Sequence, residues 1–226
     1  MKSEPKKTDW IDIHSHLTGD HPGVFRVNNV FLQDFQEDMS MKVFSCGLHP
    51  WHISQYENIE DLIPLLRSAL NHQGLIAIGE AGLDKIIPVP MERQIEIFRK
   101  QAELSEESGI PMIVHCVKAF QELLKIRKEM NAKQRWILHG FNSSSQLAGD
   151  LVKKGIYISA GPRLMNNTLR CKDILGGIPI QYLFIETDDE DSDMAEIYMK
   201  IADCLEITPE ELRVQVQENY KEIFLP

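Results

Sequence analysis

The sequence predicts an α/β fold on a parallel sheet, and within that class a compact (β/α)8 barrel of TIM type, abbreviated in its first β/α unit. Three observations carry this expectation. Short β-branched, apolar runs alternate with helical patterns along the whole chain. Most of these runs are near-continuously apolar, as strands covered on both faces are. About eight such units fit into 226 residues, close to the ~250 typical of such barrels. A doubly wound open sheet is the alternative.

Residues 10–16 (WIDIHSH) open the chain as a buried strand ending in two histidines spaced i, i+2, which share one face of a strand. A polar loop with Gly and Pro, residues 17–23, stands where the first helix would fall. Residues 24–32 form an irregular strand, and 33–39 give barely two helical turns. The strand 41–47 is followed by Leu48-His49-Pro50-Trp51-His52. Residues 57–70 form a helix with Ile59, Leu62, Ile63, Leu66 and Leu70 at near-helical spacing, and Pro64 kinks or restarts it. The apolar run 75–79 leads into Glu80. A long amphipathic helix, 91–108, turns Ile95, Phe98, Ala102 and Leu104 inward and stops at Ser108-Gly109, where glycine suits the C′ position.

The second half repeats the alternation. Strand 111–114 ends in His115, helix 120–130 follows, and strand 136–138 ends in His139. Helix 145–154 is closed by Gly155, then come strand 156–159 and a short helix, 169–175. Strand 182–185 runs into Glu186-Thr187-Asp188. Helices 194–205 and 209–224 finish the chain, the latter capped by Thr208 with Pro209 at its first position. No repeat, linker or low-complexity segment interrupts this, so residues 1–226 are expected to form one domain behind a polar, lysine-rich tail, 1–8.

Composition bounds the function. With 43% hydrophobic and 26% charged residues the chain is of the soluble globular class. A formal net charge of −10 excludes a global basic field for gathering nucleic acid. Only a local positive site or bound cations would attract a phosphate. Cys46, Cys116, Cys171 and Cys204 form no CxxC pair and read as buried small hydrophobes. They imply no disulfide framework, which fits a reducing cytoplasm. The tail has no apolar region behind it, so no signal peptide is expected, and no apolar run approaches the ~20 residues of a membrane span.

The chemistry sits at the strand ends: His14 and His16, Glu80, His115, His139 and Asp188. In a β/α barrel these ends surround one mouth. A lone histidine there is more often a loop residue, but six ligand-type residues on five strands make the pattern of a metal centre. One catalytic zinc takes about three protein ligands and a water. Six suffice for two ions ~3.5–4 Å apart. Imidazole and carboxylate without thiolate suit Zn, Mn or Fe, and Mg less well.

IDIHSHL, GLHP, IGEAGLD, IVHC, LHGF and ETDD, in that order, resemble the signature of the TatD-like metal-dependent hydrolases. These are β/α-barrel phosphoesterases of the amidohydrolase superfamily, several of them deoxyribonucleases. The resemblance runs from Ile11 to the tail NYKEIF at 219–224. It implies that His14, His16, Glu80 and Asp188 hold a first metal, and that His115 and His139 join a bridging Glu80 on a second. It also implies that Asp188 is the general base. The expected activity is that of a phosphoesterase or deoxyribonuclease using a one- or two-metal-activated hydroxide at the barrel's C-terminal mouth. The expected cofactors are divalent ions, two by ligand number, with Zn, Mn, Mg and Fe all open. The expected substrates are phosphoesters such as DNA ends or nucleotides, with no membrane and no protein partner. An ester, amide or aminoacyl hydrolase on the same scaffold, or a non-catalytic metal-binding descendant, are the alternatives.

Three departures from the family pattern stand out. Residues 17–46 are short. Val117 stands where the family often has Arg two residues after the histidine of IVHC, leaving Lys118 as the neighbouring cation. Asp189-Glu190-Asp191-Ser192-Asp193 replaces Ala-Pro or Ser-Pro, and either repels a polyanion or serves as a solvated turn favouring the next helix's dipole. Further candidates are His49, as a substrate contact or a turn residue, and Arg163, as a phosphate contact. Trp51 and His52 line the mouth or pack the rim. Asp84 is expected to orient a neighbour. His21 and His72 have no partner pattern and are read as structural.

Overall fold

The run Trp10–Ser15 forms strand β1 in the computed structural model, which describes residues 4–19 and 21–225. The chain continues through β2 (Val24–Phe31), β3 (Phe44–Gly47), α1 (Leu62–Leu70), β4 (Leu75–Asp84), α2 (Met91–Ser108), β5 (Met112–Val117) and α3 (Phe120–Glu129). Then come β6 (Trp136–Leu138), α4 (Ser145–Val152), β7 (Ile156–Ala160), α5 (Pro162–Met165), α6 (Thr168–Gly176), β8 (Leu183–Ile185), α7 (Met194–Leu205) and α8 (Pro209–Phe224). The parallel strands follow one another in the sheet in chain order. Past β8 the chain pairs back on β1 through a parallel bridge between Ser15 and Asp188. This is a nearly closed (β/α)8 barrel, not the open sheet. Its first unit is abbreviated: no described residue of 17–23 is helical, and the helix expected at 33–39 is only a 3-10 turn, Leu32–Asp34. The tail residues Met1–Ser3 and the side chain of Ile59 lie outside the described residues.

The chain divides into two compact units. In the first, Asn29–Trp136, all ten residues of β4 are buried. The strand does not stop at Gly79, as the apolar run suggested. Pairing with β5 carries it on through Ala81↔Val114, Gly82↔His115 and Asp84↔Val117, so Glu80 and His115 sit inside strands. Gly82 makes this possible: a Cβ there would lie 1.8 Å from the His115 carbonyl oxygen.

Helix α2 spans the predicted residues and ends at Gly109 in the left-handed conformation, φ 71. Its buried face holds Phe98, Ala102 and Leu104 as expected, but it is not made of apolar residues alone. Ile95 is half-buried, while Ile97, Phe98, Gln94 and Gln101 are buried. The two glutamines act as side-chain substitutes for a strand edge. Gln94 Oε1 accepts from the Asp84 N–H (2.7 Å) and its Nε2 donates to the Asp84 carbonyl (2.9 Å). Gln101 holds Leu48 the same way, at 2.8 and 3.1 Å. Helix α1 begins at Leu62, later than expected, after a 3-10 turn. Pro64 falls in its first turn, where a missing N–H breaks no helical bond.

The second unit, Glu4–Asn28 with Ile137–Pro226, contains β1, β7, β8 and α4 to α8. Here α7 and α8 match their expected spans, and Thr208 with Glu211 forms a reciprocal capping box on α8. Tyr198 Oη donates to the Ile11 carbonyl at 3.0 Å, and Asn219 Nδ2 donates to the Leu183 carbonyl at 2.8 Å. These bonds fix α7 on β1 and α8 on β8. All four cysteines are free; Cys46 and Cys171 are buried, while Cys116 and Cys204 are half-buried. Among the described residues no helix is long and apolar enough to cross a membrane.

Candidate metal centre

In the second unit the ligand-type side chains are set by backbone pairing. The Asp188 N–H donates to the His14 carbonyl (3.1 Å), and the His16 N–H donates to the Asp188 carbonyl (2.9 Å). Asp188 is held between these bonds in the left-handed region, φ 57, a conformation that costs a non-glycine residue about 1–2 kcal/mol. The result places Asp188 Oδ1 3.7 Å from both His14 Nε2 and His16 Nε2. His14 is fully buried at the end of β1 and His16 lies just past it. One ligand atom from each of the three lies within 4.8 Å of the others.

Asp12, buried one turn of the pleat before His14, braces this corner. It accepts from the Thr187 N–H (3.0 Å), from Thr187 Oγ1 (2.8 Å) and from Arg26 Nε (3.0 Å). A second group in the same unit comprises His139, Glu186 and Asp188, again within 4.8 Å. Glu186 was not among the residues expected from sequence. It is buried, and its Oε1 accepts from the Gly140 N–H at 2.6 Å. Burial pushes its carboxyl up to about 7; His139 opposes the rise and Asp188 adds to it. The signal was present: Glu186 and Asp188 stand i, i+2, the same relation that paired His14 with His16.

In the first unit, Glu80 Oε1 lies 3.2 Å from His49 Nε2 and 3.1 Å from His115 Nδ1. These three form a further group within 4.8 Å. Asn29 Oδ1 accepts from the Glu80 N–H (2.8 Å) and from Ser45 Oγ (3.1 Å), fixing the backbone at Glu80. His49 Nδ1 accepts from the Trp51 N–H at 3.2 Å, leaving Nε2 toward Glu80. It is both turn residue and member of the group. Asp84 Oδ2 lies 3.3 Å from His115 Nε2 and accepts from Trp51 Nε1 at 3.0 Å. Burial raises the Asp84 pKa, but contacts from His115, Trp51 and the Ile86 N–H outweigh it and bring it down to about 2. A charged Asp84 is thus set to orient the His115 ring, as a carboxylate behind a metal-binding histidine does.

The remaining candidates divide. Arg163 NH2 lies 3.1 Å from each Asp189 oxygen and 3.6 Å from Asp188 Oδ2. Asp193 Oδ1 accepts from the Ala195 N–H at 2.9 Å, so the end of the acidic run caps α7. Lys118 is exposed directly after β5, with φ 55. His72 is structural, its ring between the Met39 carbonyl (3.1 Å) and the Gly74 N–H (3.0 Å). His21 is exposed. The donor set of the groups is imidazole and carboxylate with no thiolate, three atoms at a time in reach of one point, which fits a divalent ion such as Zn, Mn or Fe.

A β/α barrel carrying such ligand groups on its strands is the architecture of a metal-dependent hydrolase. A family model described as TatD related DNase matches residues 28–225. The chain belongs to this family of metal-dependent hydrolases. His14 and His16 fall outside the matched span and rest on the geometry above. The chain is 30% identical over 194 residues to YabD of Bacillus subtilis, an uncharacterized metal-dependent hydrolase, covering 79% of this chain and 75% of that one. It is 32% identical over 160 residues to YcfH of Escherichia coli K12, also an uncharacterized metal-dependent hydrolase, covering 70% of this chain and 59% of that one. The crystal structure of YJJV, a TatD homolog from Escherichia coli K12, superposes with a TM-score of 0.83 over 98% of this chain and 100% of that one, at 20% identity.

Proposed function

We propose that the chain is one hydrolase domain that cleaves phosphoester bonds, with DNA ends or nucleotides as substrates, in the cytoplasm. The observation that carries this reading is the set of His and carboxylate groups, each able to offer three ligand atoms within 4.8 Å. His14, His16 and Asp188 would hold one divalent ion, with His139 and Glu186 beside Asp188. Glu80 and His115, with His49, would serve as metal ligands in the first unit. A divalent ion there supplies a Lewis acid for a phosphoryl oxygen and lowers the pKa of water toward neutrality.

The protein's own groups do the rest. Asp188 accepts the proton of the attacking water and passes it to the leaving oxygen. Thr187, clamped by Asp12, fixes the backbone that aims Asp188. Asp84 holds the His115 ring in one orientation. Arg163, beside Asp188, is the best placed of the expected phosphate contacts, and its pairing with Asp189 reduces the negative charge of the acidic run.

The test is hydrolysis of bis(p-nitrophenyl) phosphate and short DNA, beside a carboxylic ester and an amide, with added Mn²⁺ or Zn²⁺. Phosphoester turnover is expected, lost on chelation and reduced at least about 10²-fold in Asp188→Asn. Metal analysis should show fewer bound ions in Glu80→Gln. Full activity in metal-free protein, or turnover of the ester or amide alone, overturns the proposal.

A further inference from the structure

The first unit carries a groove of about 500 Å³ lined by Trp51, Tyr56, Ile87, Pro88, Val89 and Arg93. Its rim is an exposed indole. Trp136 is buried and Trp10 half-buried, whereas Trp51 is 59% exposed. A large aromatic ring left in water forfeits the burial that ordinarily makes it stabilising.

Trp51 is nonetheless held in one orientation. Its Nε1 donates to Asp84 Oδ2 (3.0 Å), which lies 3.3 Å from His115 Nε2, whose Nδ1 lies 3.1 Å from Glu80. Its backbone N–H donates to His49, and the indole meets the His49 ring edge-on with centroids 5.1 Å apart. A line of contacts thus joins the exposed ring to the His49, Glu80 and His115 group, so Trp51 both lines the groove and touches a member of the ligand cluster.

We propose that Trp51 and this groove form a subsite for one aromatic base of the substrate, stacked on the indole beside the phosphoester. This rests on the phosphoesterase reading and adds to it the place on the protein that holds the substrate's base. The volume falls in the ~300–1,000 Å³ range of small-ligand pockets. A rigid, preset indole face is the platform on which bases stack without regard to sequence. The lining is otherwise mostly apolar. Its cation, Arg93, is already engaged with Glu96 Oε2 (2.9 Å) and the Glu57 carbonyl (3.0 Å). The groove therefore suits the uncharged ring of a nucleotide rather than its phosphate.

Two measurements test this. In the first, tryptophan emission is titrated with adenosine and thymidine 5′-monophosphates, with ribose 5-phosphate and with a short-chain fatty acid. Saturable quenching by the nucleotides alone is expected, absent in Trp51→Phe, whose remaining tryptophans lie elsewhere. It should also be lost in Val89→Glu, which fills the groove while leaving Trp51 and its hydrogen bond in place. Equal quenching by ribose 5-phosphate, or quenching by the fatty acid instead, overturns the assignment.

In the second, kcat/KM is compared for the p-nitrophenyl ester of thymidine 5′-monophosphate and for methyl p-nitrophenyl phosphate. The ratio should fall about tenfold in Trp51→Ala and stay within about threefold of wild type in Trp51→Phe, which keeps an aromatic face. An unchanged ratio in Trp51→Ala overturns the subsite. If the wild type cleaves neither ester, the phosphoesterase reading fails, and the fluorescence titration still decides the subsite.

Discussion

Asp12 shows how a single buried carboxylate organises the chemistry at a distance from it. It satisfies both donors of Thr187 and pairs with Arg26, whose side chain is only 7% exposed. Removing it leaves a buried guanidinium without its carboxylate and the Thr187 N–H without its acceptor, while the Thr187 hydroxyl keeps Ser15 Oγ at 2.8 Å. Asp12→Ala should lower stability by about 3–5 kcal/mol, read as the shift in urea midpoint at constant slope; a loss within about 0.5 kcal/mol would show that the clamp is not structural. Glu186 carries a complementary lesson. The i, i+2 rule that singled out His14 and His16 applies equally to Glu186 and Asp188, but a glutamate next to an apolar strand resembles a solvated loop residue until Gly140 is seen to donate to it. His49 was ambiguous because its turn role and its place beside Glu80 use different ring nitrogens.

At the level of elements, the two glutamines of α2 mark the limit of periodicity. Gln94 and Gln101 occupy the buried face, and their amides replace strand partners for Asp84 and Leu48. Apolar spacing counts them as exposed; it placed Phe98, Ala102 and Leu104 inward, as found, but also Ile95, which is half-buried. Strand β4 was cut short for a related reason: Glu80, Gly82 and Asp84 break the apolar run, yet Gly82 pairs with β5 while the Asn29 and Gln94 side chains hold the backbone at Glu80 and Asp84.

Gly82→Ala forces a Cβ to 1.8 Å from the His115 carbonyl oxygen, so β4 and β5 must part. Loss of soluble, cooperatively melting protein is expected; a variant that melts like the wild type would show that the strands can move apart freely. Helix α8 offers a milder case. Thr208→Ala removes the acceptor of the Glu211 N–H and should destabilise by about 1 kcal/mol at pH 7, measured by urea unfolding. Hydrogen bonds from the Thr208 N–H and hydroxyl lower the Glu211 pKa. That contribution is present above its unfolded pKa of about 4.3 and is lost as pH falls through the lowered folded value. The stability gap between wild type and Glu211→Gln should therefore close in acid.

For the whole molecule, the net charge of −10 and the buried His and carboxylate groups lead us to expect the apo protein to be less stable than a metal-loaded one. An ion that binds only the folded chain adds about 2.7 kcal/mol at a hundredfold excess over Kd. Calorimetry should show Tm falling about 5–10 °C after chelation and recovering with Mn²⁺ or Zn²⁺. An unaltered Tm in saturating metal would count against a resident ion.

The sequence by itself determined the eight-strand α/β barrel, its abbreviated first unit, and the family to which the chain belongs. Those are properties of local patterning: apolar strands, amphipathic helices and ligand-type residues each announce themselves within a few positions. It also named the residues Glu80, His115, His14, His16, His139 and Asp188 one by one. Only the tertiary structure decided which side chains share a point. Asp188 meets His14 and His16 because backbone hydrogen bonds join segments more than 170 residues apart. His49 and Trp51 gain their meaning from Glu80 and Asp84, some thirty residues on. Strand pairing and side-chain hydrogen bonds between distant segments have no periodicity in the sequence, so their partners become visible only once the chain has folded.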